Sequence, residues 1–321
     1  MIYDHRDSSI KIGISRCLLG DSVRYDGGHK LDRFLRDHLG KYVTYVPVCP
    51  EVEAGFGIPR ESFRLIGRPE HPRLITARSK IDHTDHMLRW AKKRVGELEK
   101  ENLCGFIFKS KSPSSGMERV NVYDNRGVPV KKGVGLFARV FMDTFPLIPV
   151  EDDGRLHDSK LRENFIESVF ALMRWRNLLE QELSLGRLMD FHARNKMLVM
   201  SHSEKHCRLM GKRLAQGNHR SIHRQYSEYE RLFMEALKLK GTIKKNINVL
   251  QHMMGYFKRQ LTKEEKRELL DHIEQYRRGY VPLIVPLTLL NHYVRKYDQE
   301  YLKIQTYLHP HPAELALRSH I

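Results

Sequence analysis

The sequence predicts two domains of different class: an α/β parallel-sheet (Rossmann-like) domain and, after it, an all-α domain. Residues 10–150 alternate short apolar runs with helical stretches, and this succession of strand, turn and helix favours a parallel sheet covered by helices. From about Leu156 onward the strand patterns disappear and helical spacing continues. The chain of 321 residues also exceeds the length of one typical domain. We therefore expect a first domain of residues 1–153 and a second of residues 154–321.

The elements of the first domain follow from the apolar periodicity of its segments. Six apolar runs are predicted to be strands: KIGIS, YVTYVPV, FRLIG, RLITA, CGFIFK and PLIPV. Three amphipathic stretches are predicted to be helices: HKLDRFLRDHLG, HTDHMLRWAKKRVGELEKE and GLFARVFMDTF. The acidic, glycine-containing segment EDDGRLHDS is the expected linker to the second domain.

The second domain is predicted to be helical throughout. Its helical spacing is interrupted at Gly186, Gly217, Gly241, Gly279 and Pro282, residue types that end helices. The predicted helices are Leu161–Leu183, Leu188–Met200, Ser203–Gln216, Gln225–Leu239, Ile243–Leu261, Lys263–Arg278 and Leu283–Tyr297.

The composition is that of a globular protein, with 40% hydrophobic and 30% charged residues. No apolar run approaches the ~20 residues that cross a bilayer, and the first residues lack the layout of a secretion signal. Four cysteines at unpaired spacings argue against a disulfide framework. We expect a soluble protein in the reducing cytoplasm, without a membrane partner, and favour a monomer.

The formal charge of +17 is unevenly distributed. Residues 1–155 hold 27 Lys and Arg against 21 Asp and Glu, whereas the remainder holds 29 against 18. Such an excess favours a polyanionic partner, because neutralising phosphates releases counterions and supplies affinity that does not depend on sequence. A basic surface that serves only solubility is the alternative.

Two cysteines follow predicted strands directly, Cys17 in KIGISRCLLGDSVRYDGG and Cys49 in YVTYVPVCPEVEAGFGIP. The turn SPSSG follows a third strand, and the carboxyl ends of parallel strands meet at the edge of a sheet where ligands bind. Thiolates are soft ligands suited to zinc or to iron–sulfur clusters, and the absence of a CxxC pair disfavours a structural zinc ribbon. Burial of both cysteines in the core without a ligand is the alternative.

Three runs, SRCLLGDSVRYDGG, PVCPEVEAGFGIPR and KSKSPSSGMERVNVY, resemble the signature turns of the thiouracil desulfidase (TudS-like) family, whose pattern is CLLG, CPE and SPSCG. The second half, with FHARNKMLVMSHS, NVLQHMMGYFKRQL, YRRGYVPLIVPLTLLNHY and YLHPHPAEL, resembles the YbgA-type domain often fused to it. Fused pairs of this kind (RudS-like) are associated with removal of sulfur from 4-thiouridine in tRNA. The resemblance thus implies a desulfidase that acts on thiolated uracil, with a helical domain that recruits tRNA.

The resemblance also implies a cofactor and a set of site residues. In this family three cysteines hold a 4Fe-4S cluster and leave one iron open to a substrate sulfur. The matching positions here are Cys17, Cys49 and Ser115, the last standing where the third cysteine belongs. The family's acidic residue falls on Glu51, as general base for an attacking water, and its catalytic serine on Ser112. Each has a plainer alternative, since Glu51 could be a solvated turn carboxylate and Ser112 a turn-forming hydroxyl.

Ser115 is the departure from the family pattern with the greatest consequence. A neutral alcohol is a far poorer ligand for iron than a thiolate, so we expect a weakly bound or altered cluster and an inactive or cluster-deficient chain. A deliberately removed ligand, a natural variant with different chemistry, and replacement by another group remain open. Cys104 is the nearest other thiol, but it begins the same strand and is expected in the core.

Basic and aromatic residues near these turns are candidates for substrate contact, since an extruded base stacks on such side chains and its phosphate binds cations. They are Arg24, Tyr25, Asp26, Lys109 and Lys111. The candidates for tRNA backbone contact crowd two regions of the helical half: Lys205, Arg208, Lys212, Arg213, Arg220 and Arg224, then Lys244 and Lys245. For any one of them, an exposed helix face is the alternative.

Two other features have plainer interpretations. The run KKGVGLFARVF could hold an anion at a helix N-terminus, but helix packing is favoured. His202 with His206, and His309 with His311, are spaced as metal ligands, but capping, stacking or RNA contact is favoured. Two alternatives to a tRNA desulfidase remain: a non-catalytic RNA-binding protein and a desulfidase for free thiouracil.

Overall fold

The computed structural model describes residues 10–216 and 221–319 and divides the chain between Asp158 and Ser159. The first unit is α/β and the second is helical, which confirms the predicted fold classes and their order. Among the described residues, no helix has both the length and the apolar character that a membrane span requires.

Strands of the first unit form two sheets of four within the described residues. In chain order they are β1 Lys11–Ser15, β2 Thr44–Val48, β3 Phe63–Arg68, β4 His71–Thr76, β5 Gly105–Phe108, β6 Val120–Tyr123, β7 Pro129–Gly133 and β8 Val150–Asp152. The first sheet is all parallel in the order β2-β1-β5-β8, and the second is mixed in the order β4-β3-β6-β7.

The register of the parallel sheet brings its carboxyl ends together. Ser15 pairs with Val48, so β1 and β2 end side by side. The central strand β1 passes close to Phe106 of β5, and a Cβ at Gly13 would lie 2.2 Å from that ring. Glycine is therefore required at position 13, and the close approach holds the two strand ends next to one another.

The second sheet corrects part of the prediction. The runs FRLIG and RLITA are strands, but they pair as an antiparallel hairpin outside the parallel sheet. The strands VNVY and PVKKG were not predicted, because they are only four and five residues long and PVKKG is exposed at four of its five residues. Of PLIPV only Val150 is a strand residue, since two prolines precede it and cannot donate to a ladder.

Between residues 10 and 158, three segments are α-helical: α1 Pro50–Glu53, α2 Thr84–Glu99 and α3 Leu136–Thr144. The segment HKLDRFLRDHLG was predicted to be a regular helix and instead forms a π-helical stretch, Phe34–His38, followed by a short 3-10 turn. Helices α2 and α3 pack on β5 through a buried aromatic cluster that contains Phe106, Phe108, Phe137 and Phe141.

The described helices of the second unit agree closely with the predicted ones. They are α4 Ser159–Leu179, α5 Leu185–His202, α6 Glu204–Ala215, α7 Ile222–Leu237, α8 Ile243–Met254, α9 Lys263–Arg277, α10 Ile284–Lys296 and the unpredicted short helix α11 Glu300–Lys303. The prediction extended α8 to Leu261, but the α-helix ends before Gly255 and a 3-10 turn follows. Trp175 is fully buried among the rings of Phe191, Tyr226 and Tyr229.

Candidate functional site

The candidate site lies at the carboxyl ends of β1, β2 and β5. Cys17 lies in a 3-10 turn that follows β1 directly, and Cys49 is the residue between β2 and α1. The amide of Lys109, which follows β5, donates a hydrogen bond of 2.8 Å to the Ser15 hydroxyl and ties the third strand end to the first. Parallel pairing therefore places three turns that are distant in sequence at one rim.

A cavity of about 410 Å³ opens at this rim. Its walls include both cysteines and the three other residues that the family pattern picks out: Glu51, Ser112 and Ser115. Ser115 is buried, with 3% of its surface exposed, so its hydroxyl is held inside the site. The remaining lining is strongly basic and comprises, among others, Arg16, Arg24, Tyr25, Lys30, Arg60, Lys109 and Lys111.

The Glu51 carboxylate is oriented by a serine that the sequence analysis passed over. Ser114 is fully buried and its hydroxyl donates a 2.5 Å hydrogen bond to Oε1 of Glu51. The Ser112 hydroxyl lies 3.0 Å from that of Ser114 and accepts hydrogen bonds from the amides of Ser114 and Ser115. Ser112 therefore stabilises the SPSSG turn, and Ser114 in that turn holds the Glu51 carboxylate. Ser114 stands inside the quoted SPSSG motif, which is the signal that could have found it.

Arg60 is the second residue that sequence reasoning missed. Its guanidinium donates to the carbonyl of Val23 at 3.2 Å and lies 3.8 Å from Oε2 of Glu51. Oε2 of Glu51 also lies 3.7 Å from Sγ of Cys49. The positive charge of Arg60 opposes, without overcoming, the burial that raises the pKa of the Cys49 thiol. Arg60 ends the GFGIPR part of the CPE motif, so its position there was a usable signal.

The first amides of α3 are used in packing against the SPSSG turn. The amides of Phe137 and Ala138 donate to the carbonyl of Ser114 at 3.0 and 3.2 Å. Gly135 makes this approach possible, since a Cβ there would lie 2.5 Å from the Ser114 carbonyl group. These contacts agree with the packing role that we favoured for KKGVGLFARVF. They also position the SPSSG turn.

Other predicted substrate contacts divide into two groups. Arg24, Tyr25, Lys109 and Lys111 line the cavity, whereas Asp26 is not among its lining residues and pairs with Nε of Arg24 at 3.3 Å. Lys109 forms an ion pair of 2.8 Å with Asp153. A substrate phosphate at Lys109 would therefore share this cation with a carboxylate.

Most of the predicted RNA contacts that the structure describes are exposed on the helical unit. Lys205, Arg208 and Lys212 are exposed on one face of α6, with Arg213 beside them in an ion pair with Glu228. Lys245 has a structural role, because its ammonium donates to the carbonyls of His202 and Lys240 at 2.7 Å each. Two further candidates, Arg224 and Lys244, are exposed, and Arg220 lies outside the described residues.

The ring nitrogens of His202 and His206 have separate partners. His202 is buried and contacts the Leu239 carbonyl at 2.8 Å, and His206 contacts the Ser203 hydroxyl at 2.8 Å. The spacing of one helical turn therefore reflects capping and packing, as favoured from the sequence.

Burial raises the pKa of both thiols that line the cavity. Desolvation raises the pKa of Cys17 to about 11, although the charge of Lys109 opposes the shift. Desolvation, reinforced by the charge of Glu51, raises the pKa of Cys49 to about 12. Both thiols are therefore protonated near pH 7, and a metal that binds them must release protons.

In the cluster-free chain we expect Cys17 to react with iodoacetamide at pH 8 about 10-fold more slowly than an exposed cysteine, since ~100-fold less thiolate is partly offset by its greater nucleophilicity. The rate should rise with pH until about pH 11. Peptide mapping by mass spectrometry across a pH series measures the rate at Cys17 separately. An inflection near the ordinary thiol pKa would contradict the burial argument.

The cavity offers the thiols of Cys17 and Cys49 and the hydroxyl of Ser115 as possible ligands for an iron–sulfur cluster. Two thiols at one rim, with basic side chains around them, suit an anionic, sulfur-ligated cluster. Ser115 offers a hydroxyl where a third soft ligand is needed. The donor set therefore fits a cluster at Cys17 and Cys49 and departs from it at Ser115.

Comparison with known proteins assigns both units. Residues 12–153 match the family model described as 2-thiouracil desulfurase, and residues 196–312 match DUF1722, a protein family of unknown function. The chain is 31% identical over 151 residues to the uncharacterized protein YbgA of Escherichia coli (strain K12), covering 47% of this chain and 89% of that protein.

Two further similar proteins are about as long as the first unit of this chain. The uncharacterized protein YbbK of Bacillus subtilis (strain 168) is 31% identical over 109 residues, covering 32% of this chain and 71% of that protein. A solved structure of 4Fe-4S-dependent thiouracil desulfidase TudS is 30% identical with a TM-score of 0.39, covering 47% of this chain and 95% of that one.

Proposed function

Since this chain belongs to the 2-thiouracil desulfurase family through residues 12–153 and to the DUF1722 (YbgA-like) family through residues 196–312, we propose that it is built as a tRNA desulfidase. The proposed reaction removes sulfur from 4-thiouridine in tRNA and gives uridine and sulfide. The observation that carries this proposal is the shared cavity of Cys17, Cys49 and Glu51 at the carboxyl rim of the parallel sheet.

The proposed cofactor is a 4Fe-4S cluster held by Cys17 and Cys49, with the side chain at position 115 as the third ligand. When bound, it would supply an iron position without a protein ligand, and soft iron suits a thiocarbonyl sulfur. The basic lining of the cavity, which includes Arg24 and Lys111, supports an anionic group in the same space.

The protein's own contribution centres on Glu51. The carboxylate takes one proton from a water molecule, whose oxygen forms a bond to the thiolated ring carbon. The second proton of the water passes to sulfur as the carbon–sulfur bond breaks, and sulfur leaves as hydrosulfide. Thiocarbonyl and water thus become carbonyl and hydrogen sulfide, without an oxidant or reductant. Ser114 keeps Oε1 of Glu51 in place, and Arg60 lies on the side of Oε2. Ser112 lines the cavity, and its proposed role is contact with the water or the base ring.

Position 115 limits the activity of the chain as it stands. A buried alcohol is a poor substitute for a thiolate on iron, so we propose that this form is cluster-deficient and of low activity. The same observation favours a second candidate function, a non-catalytic RNA-binding protein in which the helical unit alone acts.

Recruitment of tRNA is proposed to depend on the exposed basic face of α6, defined by Lys205, Arg208 and Lys212. These residues recur at spacings of three and four, so their side chains lie along one side of the helix. Phosphate contacts by Lys and Arg supply most of the sequence-independent affinity for nucleic acid.

We expect the triple variant Lys205→Gln, Arg208→Gln, Lys212→Gln, made in a Ser115→Cys protein, to bind thiolated tRNA more weakly. The slope of log affinity against log salt should flatten by about 1 per cation removed. Sulfide release from thiolated tRNA should fall at low tRNA concentration, while release from free thiouracil stays unchanged, because the free base has no phosphates to contact.

A triple glutamine variant of the exposed residues Lys263, Lys266 and Arg267 on α9 is the matched control, with the same change in charge. Equal loss of tRNA affinity in both variants would exclude a specific role for α6. Turnover of free thiouracil with no turnover of thiolated tRNA in the parent protein would exclude tRNA as the substrate. Binding of tRNA without any sulfide release would favour the non-catalytic alternative.

A further inference from the structure

The helical unit contains a buried group of ionisable side chains that the desulfidase site does not use. Glu163 and Glu167 lie one turn apart on α4, and His311 lies on the chain segment that follows α11. One possible ligand atom from each of the three lies within 4.8 Å of the other two. Two carboxylates and an imidazole are therefore brought together from distant parts of the sequence.

The unpartnered ring nitrogen of His311 distinguishes this group from an ordinary ion-pair network. It is buried, with 6% of its surface exposed, and its Nδ1 donates to the Pro312 carbonyl at 3.1 Å. Its Nε2 is buried and has no hydrogen-bond partner among the described residues. Because Nδ1 carries the proton, Nε2 keeps a buried lone pair without a partner, an arrangement that is unfavourable unless a cation or proton lies beside it.

The carboxylates are held from outside by other side chains. Arg318, also buried, donates to Oε1 of Glu167 at 2.6 Å and to Oε1 of Glu163 at 3.2 Å, and Oε2 of Glu167 lies 3.2 Å from Nε2 of His202. Partners of this kind, bonded to ligating carboxylates, orient the ligands of metal sites. The Glu163 side chain keeps 22% exposure against 7% for Glu167, so the group opens to solvent on the Glu163 side.

We propose that Glu163, Glu167 and His311 form a binding site for a divalent transition-metal ion of the Zn²⁺ class. Imidazole nitrogen with carboxylate oxygen suits Zn²⁺, whereas Mg²⁺ and Ca²⁺ prefer oxygen ligands alone. Water entering beside Glu163 completes the coordination. The ion links α4 to the chain segment that carries His311, so it stabilises the helical unit.

The test uses the full chain with Cys17→Ser and Cys49→Ser, which removes the cavity thiols that would also take up Zn²⁺. We expect this protein to bind about one Zn²⁺ per chain by calorimetry and metal analysis, and its Tm to rise with added Zn²⁺. His311→Gln should weaken Zn²⁺ binding by at least about 10-fold and remove the rise in Tm. His309→Gln, which changes an exposed histidine two residues away, should do neither.

Co²⁺ absorption of the same thiol-depleted protein gives a second readout that needs no folded variant at position 311. Ligation by imidazole and carboxylate should give weak visible bands without a sulfur charge-transfer band. Failure of this protein to bind either Zn²⁺ or Co²⁺, or equal Zn²⁺ affinity with and without the His311 ring, would overturn the proposal. Neither readout depends on desulfidase activity, so this site and the proposed function can fail separately.

Discussion

Ser115→Cys is expected to turn a chain that holds little iron into one that retains about one 4Fe-4S cluster after anaerobic reconstitution. The substitution replaces a neutral alcohol with a third thiolate beside Cys17 and Cys49, and soft anionic sulfur is the ligand that these clusters use. The backbone need not change, because the two side chains differ by one atom and the Ser115 amide keeps its bond to Ser112.

The cluster is measured by its broad visible absorption together with iron and sulfide per chain, and activity by sulfide released from thiolated tRNA and from free thiouracil. Ser110→Cys is the matched control, since it adds a thiol to the same cavity at a residue outside the family's ligand turn. Equal cluster content in the parent chain and in its Ser115→Cys variant would refute the proposed ligand role of position 115, and a gain with Ser110→Cys would refute its specificity.

Glu51→Gln in the Ser115→Cys protein is expected to lower kcat by about 10² to 10⁴-fold, the contribution of a positioned general base. Glutamine is close to glutamate in size, and its carbonyl can still accept the Ser114 hydrogen bond. Cluster content should therefore be unchanged, and the loss should appear in sulfide release at saturating substrate.

Asp26→Asn supplies the comparison for Glu51→Gln. Its carboxylate is near the rim but is not among the residues that line the cavity, so a change of a few fold at most is expected. A Glu51→Gln protein with kcat close to that of its parent would show that Glu51 is not the base. Loss of the cluster in that protein would instead point to a structural role for the carboxylate.

Local pattern predicted most of the secondary structure, and the exceptions have physical causes. The helices of the second unit were predictable because helical periodicity and glycine interruptions are local properties of the chain. The strands β6 and β7 were missed because both are short and β7 is mostly exposed, and the hairpin of β3 and β4 was assigned to the wrong sheet. Strand partners depend on long-range pairing, which periodicity does not encode.

The sequence motifs were sufficient to predict which turns form the candidate site. Cys17, Cys49, Glu51 and Ser112 line one cavity because β1, β2 and β5 are parallel neighbours, as the strand-end argument expected. The motifs contain Ser114 and Arg60, but they did not predict the contacts of either residue with Glu51, because direction and burial of a side chain are set by the surrounding turns.

The sequence by itself determined the succession of an α/β unit and a helical unit, the family motifs and the absence of a cysteine at position 115, since each can be read from local pattern. The tertiary structure alone decided that Ser114 holds Glu51, that Asp26 is not among the residues lining the cavity, and that Glu163, Glu167 and His311 meet. The physical reason is that these contacts join residues far apart in the chain, and only the packing of whole elements determines which polar atoms are buried together.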